Sequence, residues 1–188
     1  MLIGATSNTV SPPSCEEDAA LVISDLVAGR LQDVASRLHE PPNYSAEEAA
    51  EDRRSIGSQL QFLLNQFGEV SSPSVTASPV IFYQISLAGG DIAYWQSLPS
   101  QGVDAALTYR VKFERVGPGI VQLTLIRSHR AWQLRSIALG LESSAPDSRS
   151  TMYRIGRAFL NHMDPRMSVE QVRQALDGMF GSINERPK

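Results

Sequence analysis

The residues in this sequence whose types and spacing best suit a chemical role are basic, and they lie on predicted strands. Arg110 and Lys112 are two residues apart in an alternating segment, so both side chains point to the same outward side of one strand. Arginine and tryptophan are enriched in the residues that contribute most to protein–protein binding. The predicted binding face therefore comprises basic and aromatic residues of this strand and its neighbours: Arg110, Lys112, Arg127, Arg130, Trp132 and Arg135.

The distribution of charge indicates which partner such a face would bind. The 188 residues carry 17 Lys+Arg and 20 Asp+Glu, for a net charge of −3. Residues 1–70 hold 11 acids and 4 bases, residues 71–140 hold 3 acids and 6 bases, and residues 141–188 hold 6 acids and 7 bases. A basic middle segment suits an acidic protein partner or a second copy of the chain, whereas the overall acidity argues against nucleic acid. The alternative is a solvated face, or one that pairs with the acidic helices of the same fold.

The sequence contains no recognisable motif for a metal site, a cofactor site or a hydrolytic active site. His39, His129 and His162 show no metal-ligand spacing, and a single cysteine cannot form a cysteine cage. No Gly-x-Ser-x-Gly elbow is present, and the glycines at 89–90 and 117–119 suit hairpin turns rather than a phosphate-binding loop. The sequence therefore predicts no metal, no cofactor and no catalytic residue.

Cys15 is the single cysteine, and its position raises the question of a lipid anchor. A lone cysteine before a polar segment resembles the lipid-carrying first residue of a mature bacterial lipoprotein. However, residues 1–14 lack the basic region and the apolar core of such a signal, which favours an ordinary disordered tail with an incidental thiol. The sequence also contains no apolar run long enough for a transmembrane segment.

Helices are predicted at both ends of the chain. The first covers about residues 16–38 and is interrupted at Gly29, and the second begins at the capping box of Ser45 and Glu48 and ends at Gly68. Near the other end, one helix stops before Asp164 and Pro165, and a second capping box of Ser168 and Gln171 opens the last helix. The residues from Ser71 to Pro79 lose the helical period and are predicted to form a linker.

Strands are predicted in the middle of the chain, where apolar and polar residues alternate. A hairpin turn around Gly89 and Gly90 joins the first two, and the alternation of the last strand shifts in a way that predicts a bulge near Arg135 and Ser136. The predicted strands cover residues 80–87, 92–97, 105–113, 120–126 and 132–141. Helices followed by a meander of antiparallel strands predict an α+β fold, with N-terminal helices packed on the sheet and two additional C-terminal helices.

Two segments resemble the nuclear-transport-factor-like and cystatin-like superfamily. One is the helical segment 20–38, with Leu-Val-Ala-Gly-Arg-Leu-Gln-Asp-Val at 26–34, and the other is the hairpin from Tyr109 to Trp132. The resemblance implies a curved α+β cone over residues 16–141, with residues 1–15 as a disordered tail and 142–188 as a helical extension. Similar small domains occur outside the bacterial cytoplasm, which slightly favours a periplasmic or envelope-associated location.

The resemblance also implies an alternative site, because some cone-shaped domains hold a small ligand or an acid/base pair between sheet and helices. The corresponding polar residues on or near the predicted strands are Tyr83, Tyr109, Asp91 and Asp104. An aspartate at a strand end usually satisfies local backbone groups, and Tyr109 lies in an apolar row that suits a packed core tyrosine.

The sequence therefore leads to three hypotheses. The first is a non-enzymatic binding or assembly domain that contacts a protein partner or a second copy through its sheet. The second is a small-molecule-binding or enzymatic cone with a pocket between helices and sheet. The third is an envelope protein anchored by a lipid on Cys15. A filled core would favour the first hypothesis over the second.

Overall fold

The computed structural model describes residues 14–40, 43–76, 82–88, 104–128 and 131–180. Within these ranges the order of elements is α1 (Cys15–Val27), α2 (Leu31–Ser36), α3 (Ala46–Phe67), β1 (Val70–Val75), β2 (Phe82–Ala88), β3 (Asp104–Phe113), β4 (Gly117–Ser128), β5 (Ala131–Glu142), α4 (Ser148–Met163) and α5 (Val169–Phe180). Helices precede and follow an antiparallel sheet, so the predicted α+β class is confirmed.

The helices begin and end where their capping residues allow. The Glu48 amide donates to the Ser45 hydroxyl at 3.2 Å, and the Ser45 amide donates to the Glu48 carboxylate at 2.7 Å, which confirms the predicted capping box. Ser168 and Gln171 make the same reciprocal pair at the start of α5. At the other end of α3, Gly68 takes a φ of +87°, a left-handed conformation that glycine adopts without strain.

The predicted interruption of the first helix at Gly29 is also confirmed. Gly29 has a φ of +70°, and it separates α1 from the short helix α2. This conformation ends α1 and turns the chain back, so that α2 packs on α3. The turn therefore places the C-terminal end of α1 next to the C-terminal end of α3, where the candidate site lies.

The sheet has the strand order β1-β3-β4-β5-β2, and every neighbouring pair is antiparallel. The three strands predicted at 105–113, 120–126 and 132–141 are confirmed, and each extends slightly beyond its predicted bounds. The bulge predicted near Arg135 and Ser136 is confirmed as well. Thr124 pairs with Ser136, whereas the next residue, Leu125, pairs with Leu134, so Arg135 is the extra residue.

The linker predicted from Ser71 to Pro79 is wrong for its first half, because residues up to Val75 form strand β1. This strand lies at the edge of the sheet, where a proline without an amide hydrogen is tolerated. Its register shifts between Ser71 and Ser74, and Ser72 takes a φ of +52°. A bulged strand rich in serine shows no alternation of apolar residues, so its pairing with β3 had no signature in the sequence.

One face of the sheet packs against the helices and forms the core. Phe67 of α3 and Phe113 of β3 are fully buried, with ring centroids 4.7 Å apart. Met152 of α4 and Leu176 of α5 belong to the same apolar cluster, so the C-terminal helices share the core of the N-terminal helices and sheet. The N-terminal helices pack on the sheet as predicted, and the two additional C-terminal helices pack against it as well.

Several sequence predictions lie outside the described residues. They include the N-terminal tail up to residue 13, the hairpin turn at Gly89 and Gly90, and the strand at 92–97.

Among the residues that the structure describes, no helix is both long enough and apolar enough to span a membrane.

A candidate binding furrow beside helix α1

The predicted basic face is present on the outward side of β3, but part of its charge is paired. Arg110 and Lys112 alternate with the buried residues of β3 and are both exposed. The Arg110 Nε donates to the Glu142 carboxylate of β5 at 2.9 Å, across the intervening strand β4. Arg110 is thus paired within the sheet, and not with the acidic helices. An ion pair at this exposure contributes at most about 1 kcal/mol.

The other members of the predicted face are divided between the two sides of the sheet. Arg127 pairs with Trp132 in the register of β4 and β5, and both lie on the side to which the core residue Leu125 points. Trp132 is half-buried and packs against the core. Arg135 is half-buried at the bulge, and Arg130 lies outside the described residues. The structure therefore brings Arg110 and Lys112 together and separates them from Arg127 and Trp132.

The two tyrosines of the alternative pocket are also not brought together. Tyr109 on β3 is buried beside α1, and burial raises the pKa of its hydroxyl, with a smaller contribution from the nearby Glu16 carboxylate. Tyr83 on β2 packs edge-on against the ring of Phe180, with centroids 6.1 Å apart. Two strands lie between β3 and β2, so these strands are about 14 Å apart and the two tyrosines are at least as far from each other.

The side chains of the two aspartates predicted for that pocket both lie outside the described part of the molecule. Asp104 is the first residue of β3 and pairs with Ile126, whereas Asp91 is not described at all.

Cys15, the residue considered for lipidation, is the first residue of α1 and is half-buried. Burial and the neighbouring Glu16 raise the pKa of its thiol, which disfavours the reactive thiolate.

A surface that the sequence did not indicate lies between α1 and the edge of the sheet. Its apolar half is a groove of about 480 Å³, with Tyr109 among its lining residues. Ala20, Ser24 and Val27 lie four and three residues apart and therefore form one side of α1 along this groove. Val27 is 42% exposed and Val75, on β1, is 60% exposed, so apolar side chains line the groove from both elements.

The polar half is a cleft of about 440 Å³ at the C-terminal ends of α1 and α3. Glu69 and Glu114 line it, and the Glu114 amide donates to the Glu69 carbonyl at 3.0 Å. Neither glutamate has an ion pair with any described residue. Arg115 is the cation of the cleft, and its guanidinium donates to the backbone carbonyl of Asn65 near the end of α3.

The two halves form one surface, which we call the α1 furrow. Val27 and Ala28 line both halves, and β1 runs beside them from Val70 to Val75. β1 has no second neighbour among the described strands, and the positive φ of Ser72 and the missing amide hydrogen of Pro73 make its outer edge irregular. This local geometry does not suit the addition of a further strand along β1 by backbone hydrogen bonds.

A buried carboxylate holds the turn between α1 and α2, which borders the polar half of the furrow. Asp25 is only 6% exposed, and it accepts hydrogen bonds from the Arg30 Nε at 3.0 Å and Nη2 at 2.6 Å. Burial alone would raise the pKa of Asp25, but the hydrogen bonds from Arg30 and Arg37 outweigh it and hold that pKa below its usual value. The cluster positions Gly29 and the C-terminal end of α1 against the cleft.

Sequence reasoning missed the furrow for two reasons. Val27 is an apolar residue that fits the helical period of the first predicted helix, so nothing in the sequence marked it as exposed, although it is 42% exposed. Pro73 and Val75 fell in the predicted linker. The spacing of Ala20, Ser24 and Val27 was the available signal, because three small or apolar residues on one side of a helix suit a groove.

Comparisons with known proteins identify no relative for this chain: no protein-family model, no curated protein and no solved structure matches it significantly. The described residues also contain no cluster of three or more histidine, cysteine or acidic side chains that could hold a metal ion.

Proposed function

We propose that this chain is a non-enzymatic protein-binding domain, with the α1 furrow as its binding surface. The observation that supports the proposal is an apolar groove of about 480 Å³ that is lined by two exposed valines, Val27 of α1 and Val75 of β1. Burying apolar side chains of this kind yields about 25 cal/mol per Å², so a groove of connected apolar residues is an energetically suitable docking surface.

The packing of the core supports binding over catalysis. Val121, Leu123 and Leu139, which lie in the central strands between the two candidate tyrosines, are fully buried in the apolar cluster that joins sheet and helices. Apolar side chains therefore line the helix-facing side of these central strands, where a cone-shaped enzyme would need polar groups around a substrate. The apolar half of the furrow lies at the border of this core, and Tyr109 is the only titratable residue among the described residues that line it.

A selection from a phage-displayed library of random 12-residue peptides tests the proposal. The immobilised full-length chain, the furrow variant Val75→Asp and the control variant Val169→Asp are used in parallel. Val169 is 88% exposed on α5, outside the furrow, so the control introduces the same charge on another exposed valine. Circular dichroism of each variant checks that the fold is retained.

The expected result is a common peptide motif that the unaltered chain and Val169→Asp enrich and that Val75→Asp does not. An aspartate in the groove would have to be desolvated against apolar side chains, which weakens binding. If all three proteins enrich the same motif, or if the unaltered chain enriches none, the furrow is not a peptide-binding surface.

A further inference from the structure

The polar half of the α1 furrow concentrates negative charge from several independent groups. The C-terminal ends of α1 and α3 both border it, and the helix dipole gives each end a partial negative charge. Neither helix has a basic residue in its last turn. Glu69 and Glu114 add two full negative charges, and Arg115 supplies one positive charge that is directed at the end of α3.

We infer that the segment bound in the furrow is extended and carries apolar side chains at one end and an arginine or lysine at the other. This inference rests on the proposed function and names the chemistry of its partner. The apolar side chains lie beside Val75 and Tyr109, and the basic side chain lies between Glu69 and Glu114. A guanidinium or ammonium group donates hydrogen bonds to carboxylates, and the negative ends of the two helix dipoles attract the same positive charge.

The length of β3 sets the spacing between the two ends of this segment. Tyr109 lines the apolar half, and Glu114, which directly follows the end of β3, lines the polar half. Five residues of extended chain span about 17 Å. A bound segment therefore needs about four to six residues between its apolar anchor and its basic side chain if it is also extended.

The peptide selection described above tests this inference when two charge variants are added. Glu69→Gln with Glu114→Gln removes both carboxylates of the cleft. Glu47→Gln with Glu51→Gln is the matched control, because it removes two exposed carboxylates from the opposite end of α3. We expect the unaltered chain and the control to enrich motifs with Lys or Arg at about this spacing, and the cleft variant to lose that enrichment.

Titrations of the best enriched peptide then measure the size of the effect. Loss of two partly exposed ion pairs should weaken its binding to the cleft variant about five- to tenfold relative to the control. Replacing its basic residue by the neutral citrulline or glutamine should weaken binding to the unaltered chain by a similar factor. The neutral peptide should then bind the cleft variant and the control equally.

Three outcomes would contradict the inference, and they are distinguishable. Motifs that need Val75 but show no preference for Lys or Arg would leave the proposed function standing and overturn the inference. The absence of any motif that depends on Val75 would overturn both. A reversible dimer in sedimentation velocity that Val75→Asp abolishes would identify a second copy of the chain as the occupant, in place of a basic segment.

Discussion

Asp25 and Arg37 are joined by a hydrogen bond of 3.0 Å from the Arg37 Nε to the buried carboxylate of Asp25. Arg37 also accepts a backbone hydrogen bond from the Leu134 amide at 3.0 Å, so it connects α1 to strand β5. A second arginine, Arg30, donates to the other oxygen of the same carboxylate. One acidic residue therefore ties together α1, the turn at Gly29, the end of α2 and the sheet.

Replacing this carboxylate by an amide tests its contribution. Asp25→Asn should lower the free energy of unfolding by about 1–3 kcal/mol at pH 7, because the buried group loses its charge-assisted hydrogen bonds. The pKa of Asp25 is lowered in the folded chain, so its stabilising effect is present above the unfolded pKa of about 4 and is lost as the pH falls through the folded pKa. Urea unfolding should therefore show the difference at pH 7 and its gradual disappearance in acid.

Asp33→Asn is the control for that experiment, because Asp33 is exposed and lies 3.6 Å from Arg30. Its effect should stay within about 0.5 kcal/mol at both pH values. An equal loss for Asp25→Asn at pH 7 and in strong acid would show that the carboxylate charge is not the cause.

Reversing charge on the outward sheet face distinguishes it from the furrow. Arg110→Glu with Lys112→Glu should leave peptide binding in the furrow unchanged, because both residues lie on the side of the sheet that faces away from the helices. Fluorescence anisotropy with an enriched peptide provides the measurement. If this double variant abolishes binding and Val75→Asp does not, then the basic sheet face is the binding surface.

The buried ring pair of Phe67 and Phe113 should be the most sensitive part of the core. Phe113→Ala removes a fully buried aromatic side chain and should destabilise the chain by about 3–5 kcal/mol, since a cavity remains where the ring was. Leu21→Ala is the control, because Leu21 is 49% exposed and its loss should cost less than about 1 kcal/mol. Similar thermal midpoints for both variants would contradict this description of the core.

The C-terminal helices should be required for a stable sheet. Phe180 packs on Tyr83, and Met152 and Leu176 are fully buried in the shared core, so a chain ending at residue 147 would expose apolar sheet residues to water. We expect it to bind 1-anilinonaphthalene-8-sulfonate and to lose its cooperative thermal transition. A cooperative transition at an unchanged temperature would show instead that residues up to 147 form an independent domain.

Much of the local structure could be predicted from the sequence, because it depends on residues that are near one another along the chain. The capping boxes at Ser45 and Ser168 follow from side chains three residues apart. Gly29 marks the break between two helices, since glycine adopts a positive φ without strain. The bulge at Arg135 was visible as a shift in alternation. The α+β class follows from the order of these elements.

The candidate site could not be predicted in this way, because tertiary pairing creates it. Glu69 and Glu114 are 45 residues apart in the chain and come together only through the pairing of β1 with β3. The bulge that the sequence did indicate also removes Trp132 from the predicted basic face. Its extra residue reverses the alternation of β5, so that Trp132 lies on the core side of the sheet. Local patterns thus determined which residues form helices and most strands, while the burial of one sheet face against the helices decided which charges and apolar side chains remain exposed together.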